Sequence, residues 1–315
     1  MVTTQVRVGS VELKHPVMTA SGTAGHGAEL SAYGDISGLG AVVVKSIAAT
    51  EWAGNPPPRV HPIAQGMINA VGLQGLGVQH WLDHDLPKLA AAKSTAVVSL
   101  WGRSIEEYRD AAQLLEVGLN RSSFADTVAA VEINLSCPNL GGHGIFAHDA
   151  ELSAEVIRAC AVLTRPLWAK LSPNTDRVVA IARAVHEAGA EAVTLINTVV
   201  GLVLDPDSGR PALGNGGGGM SGRAIHPVAV RTIFDVHAAW PDLPIVGVGG
   251  VTSGWEAAEM LLAGARAVQV GTATFADPRA SFKIAAELQA WTAARGFESI
   301  GELTGLAHRG GFSPQ

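Results

Sequence analysis

The sequence predicts an α/β fold in which residues 1–315 form a single (β/α)8 barrel domain. Eight short apolar runs alternate with amphipathic stretches along the 315 residues, and near-continuous apolar runs are typical of parallel strands buried on both faces. The length of the chain suits either one barrel or two ordinary domains, so this periodicity decides between them. A doubly wound sheet is the alternative, but neither a GxGxxG turn after the first strand nor a GxxxxGK[ST] loop is found to support it.

The eight predicted strands are separated by stretches that read as helices or long loops. In chain order the strands cover residues 16–19, 41–45, 95–100, 130–135, 167–171, 191–196, 244–248 and 265–270. Ser104 and Glu107 have capping-box spacing at the start of a predicted helix over 104–120, and Ser253 and Glu256 repeat that spacing before another. A further helix is predicted over 175–189, closed by its final glycine.

Composition limits the setting in which the protein works. The formal net charge is −6 and the sequence has no basic block, so it predicts no positively charged surface for binding nucleic acid or anionic membranes. Two cysteines are too few for a disulfide framework, or for a four-thiolate zinc or iron–sulfur site within this chain. No apolar run reaches membrane-spanning length and no signal peptide is evident. A soluble, cytoplasmic protein without a metal site is therefore expected.

Chemically useful side chains cluster where the predicted strands end. Barrel enzymes place their reacting groups at the carboxyl-terminal ends of strands and in the loops that follow. The fourth strand runs into the segment 134–139, which carries the thiol of Cys137 between two asparagines, and a thiol there is placed to move a proton. Glycines follow the last two strands, the position where barrels often bind phosphate. The sequence therefore predicts a small-molecule site with a phosphorylated ligand.

Each of these features also has a structural interpretation. Lys45 and Lys170 could be solvated strand ends. They close apolar runs, however, and burying an ammonium group without an anion or an electron-rich ring nearby costs free energy, so such a neighbour is expected. Cys160 lies in the middle of a predicted helix and is interpreted as a small buried hydrophobe. His80 and His84 have i, i+4 spacing but lack the glutamate of an HExxH motif, so they are interpreted as surface residues.

A series of motifs covering nearly the whole chain resembles the class 1 dihydroorotate dehydrogenases, which are FMN-dependent barrel enzymes of pyrimidine biosynthesis. In chain order the motifs are ASG at 20–22, KS at 45–46, GNPPPR at 54–59, GMINAVGLQ at 66–74, NLSCPN at 134–139, INT at 196–198, GGMSGRAIHP at 218–227, GVGGV at 247–251 and GT at 271–272. The GMINAVGLQ form resembles the class 1B branch. In that branch a separate subunit carries FAD and an iron–sulfur cluster and passes electrons to NAD.

The resemblance implies a role for each matching residue. Cys137 would be the base that removes a proton from C5 of dihydroorotate while the C6 hydride passes to FMN. The substrate, or its product orotate, would be bound by Asn69, Val71, Gly72, Leu73, Asn134, Asn139, Asn197 and Thr198. FMN would be bound by Ala20, Ser21, Gly22, Lys45, Ser46, Asn134, Lys170, Ile196, Gly222, Gly249, Gly250, Gly271 and Thr272. A homodimer, with or without the FAD and iron–sulfur subunit, is the expected assembly.

Three other interpretations stay open at this level. The chain could be a related flavoprotein acting on another pyrimidine such as dihydrouracil, because similar NLSCP loops occur in dihydropyrimidine dehydrogenases. It could be a lyase or aldolase barrel that uses Lys170 for a Schiff base. A binding module without catalysis is the remaining alternative. Bound flavin, and the pyrimidine that reduces it, distinguish these interpretations.

Overall fold

Every apolar run that the sequence predicts as a barrel strand forms a strand in the computed structural model, which describes residues 2–136 and 146–312. The strands are β1 Val6–Val8, β2 Val11–Leu13, β3 Val17–Thr19, β4 Val42–Val43, β5 Val60–Ile63, β6 Gly66–Asn69, β7 Ala96–Leu100, β8 Val128–Asn134, β9 Leu167–Lys170, β10 Ala192–Leu195, β11 Val199–Gly201, β12 Gly218–Ser221, β13 Ile245–Val248 and β14 Ala267–Val270.

Eight of these strands form one parallel sheet in the order β3-β14-β13-β10-β9-β8-β7-β4. Its two edge strands also meet. The N–H of Gly40 donates to the carbonyl of Val17 at 2.8 Å, and the N–H of Thr19 donates to that of Ala41 at 3.2 Å. These bonds join the first strand of the sheet to the last, so the predicted (β/α)8 barrel is confirmed and the doubly wound alternative is wrong.

Helices pack around the barrel between its strands. They are α1 Val78–His84, α2 Leu86–Ala91, α3 Ile105–Arg121, α4 Ala150–Ala159, α5 Val178–Glu187, α6 His226–Ala239, α7 Gly254–Ala263, α8 Ala273–Ala276 and α9 Ala280–Ala294. The hydroxyls of Ser104 and Ser253 accept the N–H groups of Glu107 and Glu256, which confirms both predicted caps. None of the helices in the described ranges is long and apolar enough to cross a membrane.

The inside of the barrel is layered because alternate residues of each strand point inward. Ala130 and Trp168 belong to a buried apolar layer at the amino-terminal end of the strands. Two residues further along β8 the inward position is Glu132, whose side chain is fully buried. Another two residues on, Asn134 and Lys170 reach the carboxyl-terminal end. Polarity thus rises along the barrel axis toward one face.

A short antiparallel hairpin of β1 and β2 covers the apolar end of the barrel. Its buried residues Val8 and Leu13 belong to the same hydrophobic cluster as Met18, Val97 and Trp168 inside the barrel. Burying a side chain of this size contributes roughly 1.5–3 kcal/mol. The hairpin therefore seals the amino-terminal end and leaves the carboxyl-terminal face for binding.

A four-stranded antiparallel sheet, ordered β11-β12-β6-β5, lies beside the carboxyl-terminal face. This sheet was not predicted from the sequence. Two glycines allow its strands to approach closely, since a Cβ on Gly218 would lie 2.5 Å from the carbonyl oxygen of Asn69 and one on Gly219 would overlap the hydroxyl of Thr198. Close packing of the backbone therefore requires glycine at positions 218 and 219.

Candidate active site

A cavity of about 800 Å³ opens at the carboxyl-terminal ends of the barrel strands. All the predicted site residues within the described ranges line it: Ala20, Ser21, Gly22, Lys45, Ser46, Asn69, Val71, Gly72, Leu73, Asn134, Lys170, Ile196, Asn197, Thr198, Gly222, Gly249, Gly250, Gly271 and Thr272. Its volume suits a ligand of cofactor size together with a small substrate. Cys137 and Asn139 lie outside the described residues, so their predicted roles stay predictions.

Lys170, which lines this cavity, belongs to a buried ion pair. The ammonium Nζ of Lys170 lies 3.6 Å from Oε1 of Glu132, and both side chains are almost completely excluded from solvent. The other carboxylate oxygen of Glu132 accepts bonds from the hydroxyl of Thr194 at 3.0 Å and the amide of Gln269 at 2.8 Å. The anion expected near Lys170 from the sequence is therefore the carboxylate of Glu132, a residue of the protein itself.

Lys45, on the same side of the cavity, lies in a different environment. It is largely buried, and burial, with a smaller contribution from the nearby Arg59 guanidinium, lowers the pKa of its ammonium group. No acidic side chain among the described residues pairs with it. An uncompensated cation facing a cavity favours a ligand that brings negative charge or electron-rich oxygens.

A network of hydroxyls and carboxamides crosses the cavity floor. The Asn134 amide donates to Ser46 at 3.2 Å, while its carbonyl oxygen accepts from Ser136 at 3.0 Å and from Asn197 at 3.2 Å. The hydroxyl of Tyr108, on α3, donates to the backbone carbonyl of Asn134 at 2.6 Å. These bonds hold the carboxamides in place from strand to strand, and such groups offer both donors and acceptors to a planar ligand.

The turn after β6 presents a row of backbone donors. The carbonyls of residues 70–72 all accept hydrogen bonds. The side-chain amide of Asn55 donates to the carbonyl of Ala70 at 3.0 Å, and its backbone N–H donates to that of Val71 at 3.1 Å. The Trp52 indole donates to the carbonyl of Gly72 at 2.9 Å. Gly72 and Leu73 have φ angles of 74° and 59°. Within the described ranges, no hydrogen bond uses the N–H groups of residues 71–73. Consecutive free N–H groups in such a turn bind anions.

Gly54 and Gly72 permit the close approach that makes this turn possible. A Cβ on Gly54 would lie 2.5 Å from the carbonyl oxygen of Val71, and a Cβ on Gly72 would lie 2.5 Å from the Asn55 carboxamide carbon. Both glycines also have positive φ angles. The GNPPPR segment is therefore part of the site wall, an assignment that its spacing alone did not support.

The opposite end of the cavity is lined by glycine backbone. Among the described residues, no backbone hydrogen bond outside the regular strand ladders uses the N–H groups of Gly250, Gly271 and Thr272. His226 holds the loop before Gly250 in place, because its Nδ1 lies 2.9 Å from the carbonyl oxygen of Gly249. Exposed backbone donors next to glycines suit a phosphate. Together with the two lysines, this end fits the FMN that the resemblance implies.

Several cavity residues were missed by the sequence analysis. Trp52 and Asn55 lie just before and within the GNPPPR segment, and Arg103 follows the third barrel strand. The carboxyl-terminal end of that strand is the one strand end from which no candidate was taken. Arg103 could have been found there by applying the same rule to all eight strands.

The residues interpreted as structural behave accordingly. Cys160 is fully buried, and burial raises the pKa of its thiol to about 12, so it stays a neutral thiol. The rings of His80 and His84 stack at a centroid distance of 4.2 Å. Within the described ranges, no group of three or more His, Cys, Asp or Glu side chains is arranged to hold a metal ion.

This arrangement defines a barrel enzyme with a small-molecule site at the carboxyl-terminal face of its strands. The family model described as dihydroorotate dehydrogenase matches residues 3–291. A protein of Desulforudis audaxviator (strain MP104C) is 44% identical over 312 residues, which are 98% of this chain and 99% of that protein. A protein of Geobacter sp. (strain M21) is 43% identical over 302 residues, 95% of this chain and 96% of that protein.

Both relatives carry the name dihydroorotate dehydrogenase B (NAD(+)), catalytic subunit. The chain belongs to the dihydroorotate dehydrogenase family. The names of the relatives agree with the class 1B branch that the GMINAVGLQ motif indicates, and the family is flavin-dependent.

Proposed function

We propose that this protein oxidises dihydroorotate to orotate as an FMN-dependent catalytic subunit in pyrimidine biosynthesis. The observation that carries the proposal is a single cavity lined by an anion-binding turn, a carboxamide network and two lysines. Each part matches one portion of the reactants: the turn suits the substrate carboxylate, the carboxamides suit the ring, and the lysines suit a flavin.

Substrate binding follows from the donors on the cavity wall. The N–H groups at 71–73, which have no partner among the described residues, would hold the carboxylate, because the positive φ angles of Gly72 and Leu73 direct successive donors to one side. The ring carbonyls and N–H groups would be bound by Asn69, Asn134, Asn139, Asn197 and Thr198. Charge-assisted bonds to the carboxylate are stronger than neutral ones, so the turn would fix the orientation of the ring.

The chemical step would begin at Cys137, acting as the base that takes the C5 proton. This residue lies outside the described part of the chain. Ser136, its neighbour, is bonded to Asn134 and Asn197 at the cavity floor. Bound FMN supplies the acceptor for the C6 hydride. Lys45 and Lys170 would contact the flavin, where positive charge stabilises its reduced form.

The assembly is also a proposal. Because the chain has only two cysteines, electrons would leave through a separate subunit carrying FAD and an iron–sulfur cluster. Val200 in β11, and Leu202 and Leu204 just after it, are each more than half exposed and would offer an apolar surface for a homodimer. We further propose that residues 1–315 act as one FMN-binding domain in the cytoplasm.

The first test is the visible spectrum of the purified protein under anaerobic conditions, before and after dihydroorotate is added. We expect flavin absorption that bleaches on addition of the substrate. Bleaching by dihydrouracil but not by dihydroorotate would instead establish the related pyrimidine activity. Protein that binds no flavin after incubation with FMN would contradict the proposal.

A further inference from the structure

The turn at 70–73 is held in place by hydrogen bonds to the carbonyl groups of Ala70, Val71 and Gly72. The donor to the third carbonyl is the indole of Trp52, a residue that none of the family motifs includes. Within a trans peptide the C=O and N–H groups point in opposite directions. The peptide joining Gly72 to Leu73 has its carbonyl bonded to the Trp52 indole at 2.9 Å. The N–H of Leu73 is therefore directed away from the Trp52 indole. Leu73 lines the cavity, and no hydrogen bond within the described ranges uses this N–H.

Trp52 is itself held by three contacts. Its backbone pairs with Gly75 through bonds of 2.9 and 3.0 Å. Its ring and that of Trp101 form a T-shaped contact at a centroid distance of 6.1 Å. The guanidinium of Arg103 lies 4.5 Å from the ring centroid, a cation–π contact on the indole.

Arg103 in turn is fixed by the carboxylate of Glu107. Its Nε lies 3.0 Å from both carboxylate oxygens, and the backbone N–H of Arg103 donates to the same group at 2.8 Å. Glu107 belongs to the first turn of α3. A continuous set of contacts therefore joins this helix, through the guanidinium and the indole, to one peptide of the turn.

We propose that the Trp52 indole is a positioning residue for substrate recognition: it orients the peptide between Gly72 and Leu73 so that the Leu73 N–H donates to the substrate carboxylate. The inference deepens the proposed function and rests on it. Leu73 requires such support because its φ of 59° is unfavourable for a residue with a side chain.

The experiment compares two substitutions of the indole. Trp52→Phe retains an aromatic ring but deletes the donor. Trp52→His retains the N–H donor, because the five-membered imidazole ring superposes on the pyrrole ring of indole and places Nε2 where Nε1 of tryptophan lies. The matched control is Trp81→Phe, since the buried N–H of Trp81 has no hydrogen-bond partner among the described residues.

For Trp52→Phe we expect KM for dihydroorotate and Kd for orotate to rise roughly tenfold, the order expected for one lost hydrogen bond, with kcat changed less than about threefold. Orotate binding is read from the perturbation of the flavin spectrum, which does not depend on turnover. Trp52→His should recover most of the affinity, and Trp81→Phe should behave as the wild type. Flavin content should be equal in all four proteins.

Unchanged KM and Kd in Trp52→Phe would overturn the inference, as would equal losses in the Phe and His variants. If Trp52→Phe does not fold, Trp52→Leu deletes the same donor and is compared with Trp52→His in its place. Failure of the proposed function is distinguishable, because the wild-type flavin would then not bleach with dihydroorotate at all. A wild type that bleaches beside an unaffected Trp52→Phe contradicts only the role of Trp52.

Discussion

At the scale of single residues, the thiol of Cys137 has the clearest expected effect. A serine hydroxyl is a far weaker acid than a thiol, so it serves poorly as a base near neutral pH. We expect Cys137→Ser to slow anaerobic flavin reduction by dihydroorotate about 10²–10⁴-fold, the contribution typical of a general base. Stopped-flow absorption measures this rate, and the variant should be relatively faster at high pH.

The second cysteine provides the control for this experiment. Cys160 is buried, and the raised pKa of its thiol keeps it neutral. In the Cys160→Ala variant, dihydroorotate should therefore reduce the flavin at the wild-type rate. Wild-type rates in Cys137→Ser would show that another group takes the proton.

Replacing Lys45 should weaken FMN binding without reducing the stability of the FMN-free protein. Its ammonium is largely buried and has no acidic partner among the residues described, so it costs stability until a ligand compensates it. Lys45→Met should therefore leave the FMN-free protein at least as stable as the wild type. It should also weaken FMN binding by about tenfold, or about 1.4 kcal/mol. Thermal unfolding and flavin titration measure the two effects.

The pH dependence of stability offers a further test of Lys45. Burial lowers its pKa in the folded state, so just below its ordinary pKa of 10.5 the unfolded chain binds more protons than the folded one. The Lys45 contribution to stability consequently rises with pH through this interval, and Lys45→Met should lose it. The exposed Lys14, replaced by Met, is the control. Identical pH profiles for both variants would contradict this account.

At the scale of the strands, Glu132 and Lys170 tie β8 to β9 across the barrel interior. Removing one partner leaves the other charged and buried, so Lys170→Met should lower the free energy of unfolding by about 3–5 kcal/mol. The double variant Glu132→Gln/Lys170→Met should lose less than the sum of the two single variants. Denaturant unfolding of the FMN-free proteins measures this coupling.

The exposed pair of Arg183 and Glu187 on α5 is the control for this cycle. Because solvent screens both groups, replacement of either should change stability by less than about 1 kcal/mol. Strictly additive losses at Glu132 and Lys170 would show that the two charges do not interact.

These elements also show what the sequence could predict. The eight barrel strands are mostly apolar and buried on both faces, so local composition was sufficient to find them. Ser104 and Ser253 were found by capping chemistry. Strands β5, β6, β11 and β12 are short and partly exposed, and all but β5 contain glycine, so their sequences lack the apolar pattern of the barrel strands. The pairing of Glu132 with Lys170, and of Trp52 with Gly72, depends on distant segments meeting, which no local pattern encodes.

At the scale of the whole molecule, the protein should lose stability in acid because of His15. This imidazole is buried, burial lowers its pKa to about 4, and its Nδ1 accepts the N–H of Val17 at 3.0 Å. Between pH 6.5 and 4 the unfolded chain binds the extra proton, so stability falls as the pH falls. The full effect is about 3 kcal/mol, seen as a lower melting temperature.

His15→Asn is the variant that tests this prediction. The carboxamide oxygen of asparagine offers an acceptor near the position of Nδ1 but does not titrate in this range. The variant should therefore lose less stability than the wild type between pH 6.5 and 4. Parallel pH curves for the two proteins would assign the acid sensitivity to other groups.

The hairpin over the amino-terminal end of the barrel has a kinetic consequence. Val8 and Leu13 pack into the same apolar cluster as the barrel interior, so that end offers no passage through the molecule. Reactant and product therefore share the entrance at the carboxyl-terminal face. A product molecule that lingers there blocks the next turnover, and orotate should act as a competitive inhibitor against dihydroorotate.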